Sequence, residues 1–373
     1  MQILEDRRAL HQIPELDDRL PQTVAYLTRS LAPLRCRVFS PIPGAVCAFF
    51  DFQRPDTIAF RSDADALPIA EQTGLPFASG IAGQMHACGH DGHMAMLLEL
   101  ARRLDGTVDL PNNVLLIFQP SEETTGGARR ICQSGIFAQY HVRAIFGMHL
   151  WPGLPVGTIA SRKGEMMSRS CEVTIEVTGR SSHVAKAAEG IDALAAGVAC
   201  YRQCMEMEAA MPPDIYRLLK FGKLQSGTVR NAISGYTRME GTLRAFQDDI
   251  FEGMQQKIRE ICSAVANDTG CEISVTMNDG YPAVMNPPEL YDRVAKLLPF
   301  TPLREPVMIT EDFSWYQRTL PGMFFFLGIG DAPALHSADF QFDETVLYRG
   351  ADFWQALATA YPGRSEELPC SNT

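Results

Sequence analysis

The chain has 373 residues, 46% hydrophobic and 21% charged, which is long enough for two globular domains. Its formal net charge of -11 argues against nucleic acid and anionic membranes as partners, because both repel an acidic protein. The opening residues MQILEDRRALHQIPEL lack the apolar core of a signal peptide, and no apolar run approaches the roughly 20 residues of a membrane helix. We therefore expect a cytoplasmic protein with reduced cysteines.

The first part of the chain alternates apolar runs with helical patterns. Helices are predicted at 3–13, 22–31, 91–104 and 126–133, and buried strands at 45–52, 57–61, 114–118 and 144–148. This alternation predicts an α/β fold with a mostly parallel sheet and helices on both faces. Ligands of such sheets bind at the carboxyl ends of the strands.

The pattern changes near Met166. Strands at 171–178, 216–225, 234–246 and 272–278 and helices at 190–207 and 249–267 give the order βαββαβ, which is typical of a ferredoxin-like α+β unit. A strand at 323–327 and a helix at 346–360 then return to the first pattern. We predict a catalytic domain in two parts, 1–165 and 282–373, with an inserted lid domain at 166–281.

The strongest local signal is MHACGHDGHMAML at 85–97, where three histidines, a cysteine and an aspartate lie within eight positions. These side chains bind metals such as Zn²⁺. Cys88 and His90 can share a metal from an extended loop, whereas His90 and His93 can share a helix face, and the spacing allows both. The alternative without a metal is a polar loop in which Asp91 caps a helix.

Three other polar clusters also follow predicted strands. Glu122 and Glu123 come after the strand at 114–118, and adjacent glutamates are equally typical of a solvated surface. One such carboxylate can bind a metal while the other accepts a proton from a metal-bound water. His149 follows the strand at 144–148, and His336 follows the strand at 323–327.

Asp63 and Asp65 alternate after the strand at 57–61, so both can face one cleft. Asp65 is a candidate partner for a ligand histidine. The candidate metal ligands are Cys88, His90, Glu123, His149 and His336. This number of ligands suits two metal ions that share a water, at the separation of about 3.5–4 Å usual for such pairs.

These segments, in this order, resemble the metal-dependent amidohydrolase family of aminoacylases, hippurate hydrolases and plant auxin–amino-acid conjugate hydrolases. Zinc carboxypeptidases and dipeptidases of the same clan are more distant. The similarity extends from Leu10 to about Trp354. The resemblance implies a zinc-exopeptidase-like catalytic domain interrupted by a lid.

The family pattern also implies roles for individual residues. The five candidate ligands would bind two divalent ions, Glu122 would be the general base, and Asp65 would orient a ligand histidine. Asp63 marks the cysteine-containing branch, since related peptidases have a histidine at that position. Ions suited to the set are Zn²⁺ or Mn²⁺, with Ni²⁺ or Co²⁺ as further candidates.

In the lid, the resemblance implies that His183 of TGRSSHVA polarises the scissile carbonyl, in its own active site or in that of a partner subunit. It places Asn231 at a substrate-binding position and Arg244 where a basic residue meets a substrate carboxylate. A homodimer formed through the lid is therefore a candidate assembly. Four lid residues depart from the common pattern of glycines and prolines, namely Ser181, Ser182, Ala187 and Ser234.

The implied reaction is hydrolysis of the amide bond of an N-acyl amino acid by a metal-activated water. Two alternatives stay open on the same scaffold, an aminopeptidase or dipeptidase and a metal-binding homologue without catalysis. A cysteine hydrolase requires Cys88 free of metal. The sequence leaves the acyl group and the amino acid open, with acetyl, benzoyl and aryl-acetyl conjugates and N-acetyl-diaminopimelate as candidates.

Overall fold

A computed structural model describes residues 2–363 and divides them into two units. The first comprises 2–166, 285–305 and 312–363, and the second comprises 167–284 and 306–311. The division into a catalytic domain at 1–165 and 282–373 and an inserted lid domain at 166–281 stays a prediction.

The secondary structure consists of 14 strands, ten α-helices and a short 3-10 helix in the part of the chain that the structure describes. The strands are β1 (Arg37–Phe39), β2 (Val46–Phe50), β3 (Thr57–Asp63), β4 (Asn113–Gln119), β5 (Val142–Trp151), β6 (Ile159–Ser161), β7 (Gly164–Met167), β8 (Arg169–Thr178), β9 (Arg217–Ser226), β10 (Tyr236–Ala245), β11 (Glu272–Met277), β12 (Val284–Asn286), β13 (Thr301–Pro302) and β14 (Gly322–Gly328). The helices are α1 (Gln2–His11), α2 (Pro21–Leu31), α3 (His90–Asp105), α4 (Gly127–Gln133), α5 (Ile136–Gln139), α6 (Ala193–Ala209), α7 (Asp248–Thr269), α8 (Pro288–Leu297), α9 (Ser314–Gln317) and α10 (Val346–Ala360), and the 3-10 helix covers Val184–Glu189.

The first unit contains an eight-stranded sheet in the order β1-β2-β4-β3-β5-β14-β6-β13. Its central strands β4, β3, β5 and β14 are parallel, whereas β1, β2 and β6 join antiparallel neighbours. Every residue of β3, β4 and β14 is buried, which explains their continuous apolar runs. The predicted α/β fold class is confirmed.

Helix α3, which begins with the predicted metal ligand His90, is packed into the centre of this unit. It lies against β2, β3, β4 and β5 and is covered by α1, α2 and α10. A second group, α4, α5 and α9, packs together. Gly89 precedes α3 with φ 85°, a left-handed conformation that few side chains adopt.

The second unit is a four-stranded antiparallel sheet in the order β11-β8-β10-β9. Together with α6 and α7 its chain order is βαββαβ, as the sequence predicts for a ferredoxin-like unit. Alternate residues of β8, Val173, Ile175 and Val177, are buried in a core shared with α6 and α7. Asp192 begins α6 by accepting hydrogen bonds from the amides of Leu194 and Ala195.

Two structural features bear on the expectation of a cytoplasmic protein with reduced cysteines. Within residues 2–363, none of the helices combines the length and apolar character that crossing a bilayer requires. Nine cysteines in that range are free thiols.

Candidate metal centre

The candidate ligands lie where the parallel strands β3, β4, β5 and β14 end, together with the start of α3. Cys88 lies two residues before His90, the first residue of α3. Glu122 and Glu123 follow β4, and His149 lies near the end of β5. His336 follows β14 in a loop anchored by its own amide, which donates to Ala87 O at 2.9 Å.

These side chains form three overlapping sets, all within the first unit. In each set the possible ligand atoms lie within 4.8 Å of one another. The sets are Cys88 with Glu123 and His336, His90 with Glu122 and Glu123, and Asp63 with His90, His93 and His149. The structure therefore brings all five predicted ligands and Glu122 to one region.

Hydrogen bonds to the Nδ1 atoms fix how two of the histidines face this region. His90 Nδ1 lies 2.8 Å from Asp65 O, and His149 Nδ1 lies 2.6 Å from Leu150 O. Because a carbonyl oxygen only accepts, each Nδ1 carries the proton and each Nε2 keeps a free lone pair. His149 Nε2 lies 3.3 Å from Cys88 Sγ, and His90 Nε2 is buried without a hydrogen-bond partner in the described part of the chain.

The electrostatics of these groups fit bound cations. Burial lowers the pKa of His90 and takes that of His149 well below its ordinary value, so both rings are neutral, the form that binds metals. Burial, and then the charges of Glu123 and Glu122, raise the pKa of the Cys88 thiol well above its ordinary range. A bound cation would stabilise a thiolate here against burial and the charges of the two glutamates.

The two oxygens of Asp65 hold the glutamate loop. Oδ1 accepts the amide of Glu122 at 2.9 Å and Oδ2 accepts the amide of Glu123 at 3.1 Å. The contact of Asp65 with His90 is made by the main-chain carbonyl, while the carboxylate lies 3.9 Å from Nδ1. Asp65 thus supports both His90 and the glutamate pair.

Arg61 is a buried residue of the centre that the sequence analysis missed. It lies in β3 with only 2% of its surface exposed. Its guanidinium donates to Gln119 Oε1 at 2.9 Å, to Asp63 Oδ2 at 3.0 Å and to Asp312 Oδ1 at 2.7 Å. The signal was a lone arginine inside an apolar strand, since such a charge requires buried carboxylates close by.

Three predicted site residues lie in the second unit. His183 and Asn231 are exposed and come from neighbouring segments, because the amide of Val184 donates to Asn231 O at 3.1 Å. His183 Nδ1 accepts the amide of Ala185 at 3.1 Å, so its proton is on Nε2. Arg244 is half-buried, and its guanidinium donates to Met308 O.

Comparisons with known proteins agree over most of the chain. A family model described as peptidase family M20/M25/M40 matches residues 59–360. An N-acetyldiaminopimelate deacetylase of Limosilactobacillus reuteri is 34% identical over 94% of this chain and 96% of its own. One of Limosilactobacillus fermentum is 32% identical over 98% of each chain. A Bacillus subtilis structure described as a dinuclear metal-binding peptidase of the M20 family is 31% identical, with a TM-score of 0.84 over 96% of each chain.

Proposed function

Since the chain belongs to peptidase family M20/M25/M40, we propose that it hydrolyses the amide bond of N-acyl amino acids and releases a carboxylate and a free amino acid. The resemblance to metal-dependent amidohydrolases is confirmed, and the protein is an enzyme of that kind. The free thiols suit a reducing compartment, and the cytoplasm is the proposed site of action.

The observation that carries the proposal is the glutamate pair, of which Glu122 is buried and Glu123 partly buried. Glu122 is 7% exposed, belongs to one set of possible metal ligands with His90 and Glu123, and is held in place through its amide by Asp65. A carboxylate fixed beside metal ligands is suited to accept a proton from a water activated there.

We propose that Cys88, His90, Glu123, His149 and His336 hold two divalent ions. The sulfur, nitrogen and oxygen donors suit Zn²⁺ or Mn²⁺, with Ni²⁺ and Co²⁺ as further candidates. When bound, such ions lower the pKa of a water and polarise an amide carbonyl. The relative from Bacillus subtilis, described as dinuclear, supports the count of two.

Four side chains of the chain have separate proposed roles in the reaction. Glu122 accepts a proton from the attacking water and then delivers it to the leaving nitrogen, which departs as a neutral amine. His183, protonated on Nε2, is proposed to donate a hydrogen bond to the carbonyl oxygen as negative charge develops there. Asn231 and Arg244 are proposed to bind the substrate, and Arg244 must then exchange its contact with Met308 O for the substrate carboxylate.

A panel of substrates separates the proposal from its alternatives. With Zn²⁺ or Mn²⁺ bound, we expect N-acetyl-diaminopimelate, N-acetyl-methionine or N-benzoyl-glycine to give a kcat/KM at least about 100-fold above that of a dipeptide with a free amine. N-acetyl-diaminopimelate comes first because several relatives carry its name. A faster free-amine dipeptide would instead identify an aminopeptidase or dipeptidase. Inactivity on the whole panel despite full metal content would identify a homologue without catalysis.

A second copy of this chain is the proposed partner. Leu194, Val198 and Tyr201 lie on one face of α6 and are 44%, 48% and 41% exposed. The adjacent strand β9 lies at one edge of its sheet and exposes Leu224. An apolar stripe beside an edge strand is a surface that a copy of itself can cover by symmetric pairing.

Replacing Val198 with aspartate is expected to weaken the dimer at least about 100-fold, because the new carboxylate would lose its hydration on association. Light scattering over a range of concentrations measures the change. Val108→Asp is the matched control, since Val108 is 93% exposed but lies in the first unit. A monomeric wild-type protein would refute this interface. Equal molar masses of the Val198→Asp and Val108→Asp variants over the same concentrations would also refute it.

A further inference from the structure

His93 lies one turn after His90 on α3 and belongs to a set of possible metal ligands. Both of its ring nitrogens nevertheless make hydrogen bonds within the protein. Nδ1 lies 2.6 Å from Asp63 Oδ1, and Nε2 accepts the amide of Leu150 at 2.9 Å. The amide can only donate, so Nε2 is unprotonated and the proton lies on Nδ1, shared with Asp63. No lone pair of His93 is left for a metal.

The peptide groups of Leu150 connect His93 to a proposed ligand. Leu150 N–H donates to His93 Nε2, and Leu150 C=O accepts the proton on His149 Nδ1 at 2.6 Å. The position of this residue therefore sets the direction in which His149 Nε2 points. His93, Leu150 and His149 are all buried, so water does not compete for these bonds.

The packing around Leu150 leaves little freedom. A Cβ at Gly89 would lie 2.9 Å from Leu150 Cδ1, and a Cβ at Gly92 would lie 3.0 Å from the same atom. The first turn of α3 therefore packs closely against the Leu150 side chain, which would have to move if either glycine carried a Cβ. The side chain of Leu150 is held by this contact and its amide by His93.

Asp63 is held from the opposite side. Its Oδ2 accepts Arg61 at 3.0 Å while its Oδ1 contacts His93. Burial would raise the pKa of Asp63, but the hydrogen bond from His93 Nδ1 and the guanidinium of Arg61 outweigh burial and hold this pKa well below its ordinary value. Asp63 is thus an anion whose two oxygens are committed to Arg61 and His93.

We propose that His93, backed by Asp63 and Arg61, is a positioning residue that orients the metal-binding atom of His149 through Leu150 and does not itself bind metal. The inference rests on the proposed role of His149 as a ligand. His93 differs in this respect from His90, its neighbour on the same helix face. Nε2 of His93 accepts the amide of Leu150, whereas Nε2 of His90 has no hydrogen-bond partner in the described part of the chain. Outer partners of metal ligands typically change metal affinity about 10- to 100-fold when removed.

Two replacements of similar size separate the two bonds of His93. In His93→Gln, Oε1 falls near the original Nε2 and can still accept Leu150 N–H. In His93→Asn, Nδ2 falls near the original Nδ1 and can still donate to Asp63, but the bond to Leu150 is lost. Each variant loses one buried hydrogen bond, so their melting temperatures serve as a control for general destabilisation.

The measurement is metal affinity by competition with a chelator, together with the visible spectrum of the Co²⁺-loaded protein, both without substrate. We expect His93→Asn to weaken binding of the more weakly held ion about 10- to 100-fold and to alter the Co²⁺ bands. His93→Gln should stay much closer to wild type. In kinetics, His93→Asn should lower kcat with KM little changed, because the substrate contacts are elsewhere.

Three outcomes would overturn the inference. Loss of one ion per chain from both variants would make His93 a ligand. Equal affinities for the two variants would show that Leu150 does not carry the effect, and wild-type behaviour of His93→Asn would remove any role. Because metal affinity and the Co²⁺ spectrum need no turnover, these two readouts test the inference even if the substrate panel or a Glu122 variant contradicts the proposed function.

Discussion

Replacing Glu122 with glutamine is expected to reduce turnover about 100- to 10,000-fold while both metal ions stay bound. Glutamine matches the shape of glutamate and leaves the amide bond to Asp65 Oδ1 intact, but its side chain cannot accept a proton at neutral pH. The loss should therefore appear in kcat. Initial rates on an N-acyl amino acid, with metal content determined by elemental analysis, measure both quantities.

The adjacent residue provides a sharp contrast. Glu123→Gln should reduce metal content, since Glu123 Oε1 lies 3.2 Å from His336 Nε2 and 3.8 Å from His90 Nε2 among the proposed ligands. Glu289→Gln, at an exposed position in α8, should change neither property. Wild-type kcat in Glu122→Gln would refute its role as the general base.

Replacing Cys88 with alanine is expected to weaken metal binding by more than the roughly 100-fold that loss of an outer partner costs, since a proposed ligand is removed. Cys88 is 7% exposed, and its sulfur lies 3.3 Å from His149 Nε2. The variant should be inactive at limiting metal and regain part of its activity when Zn²⁺ or Mn²⁺ is in excess. Chelator titrations of variant and wild type measure the difference.

Cys47→Ala is the matched control for this variant. Cys47 is also a buried thiol, but it lies within β2, and burial likewise raises its pKa. Its replacement should leave metal content unchanged. If instead the wild-type enzyme stays active after full removal of metal, Cys88 acts as a nucleophile and the metal mechanism fails.

The sequence predicts the main elements well where one physical signal dominates. The predicted final helix, 346–360, agrees with α10, and the predicted central strands lie within β3, β4, β5 and β14 or match them closely. Continuous burial on both faces gives these strands an unbroken apolar pattern. The short strands β1, β6 and β13 were not predicted, because pairing with distant segments rather than local sequence defines them.

The sequence predicts which types of residue form the candidate site, but it does not predict the hydrogen bonds that join them. The motif around Cys88 predicts a cluster of metal-binding side-chain types, and the structure brings Cys88, His90 and His93 close together. The spacing of this motif alone leaves open whether His90 shares a metal with Cys88 or with His93. The difference between His90 and His93 depends on Asp65 O and on the peptide of Leu150, which is 57 positions from His93 in the chain. Likewise, Arg61 meets Asp312 across 251 positions, a contact that no local pattern encodes.

The loop of His336 has a consequence for evolution and engineering. His336 has φ 65°, a left-handed conformation that costs a residue with a side chain about 1 kcal/mol or more, and its side chain is half exposed. Glycine would relax this backbone but would lack an imidazole. Because we propose His336 as a metal ligand, selection for heat resistance and selection for turnover oppose one another at this position. A substitution that stabilises the loop would then remove a proposed ligand.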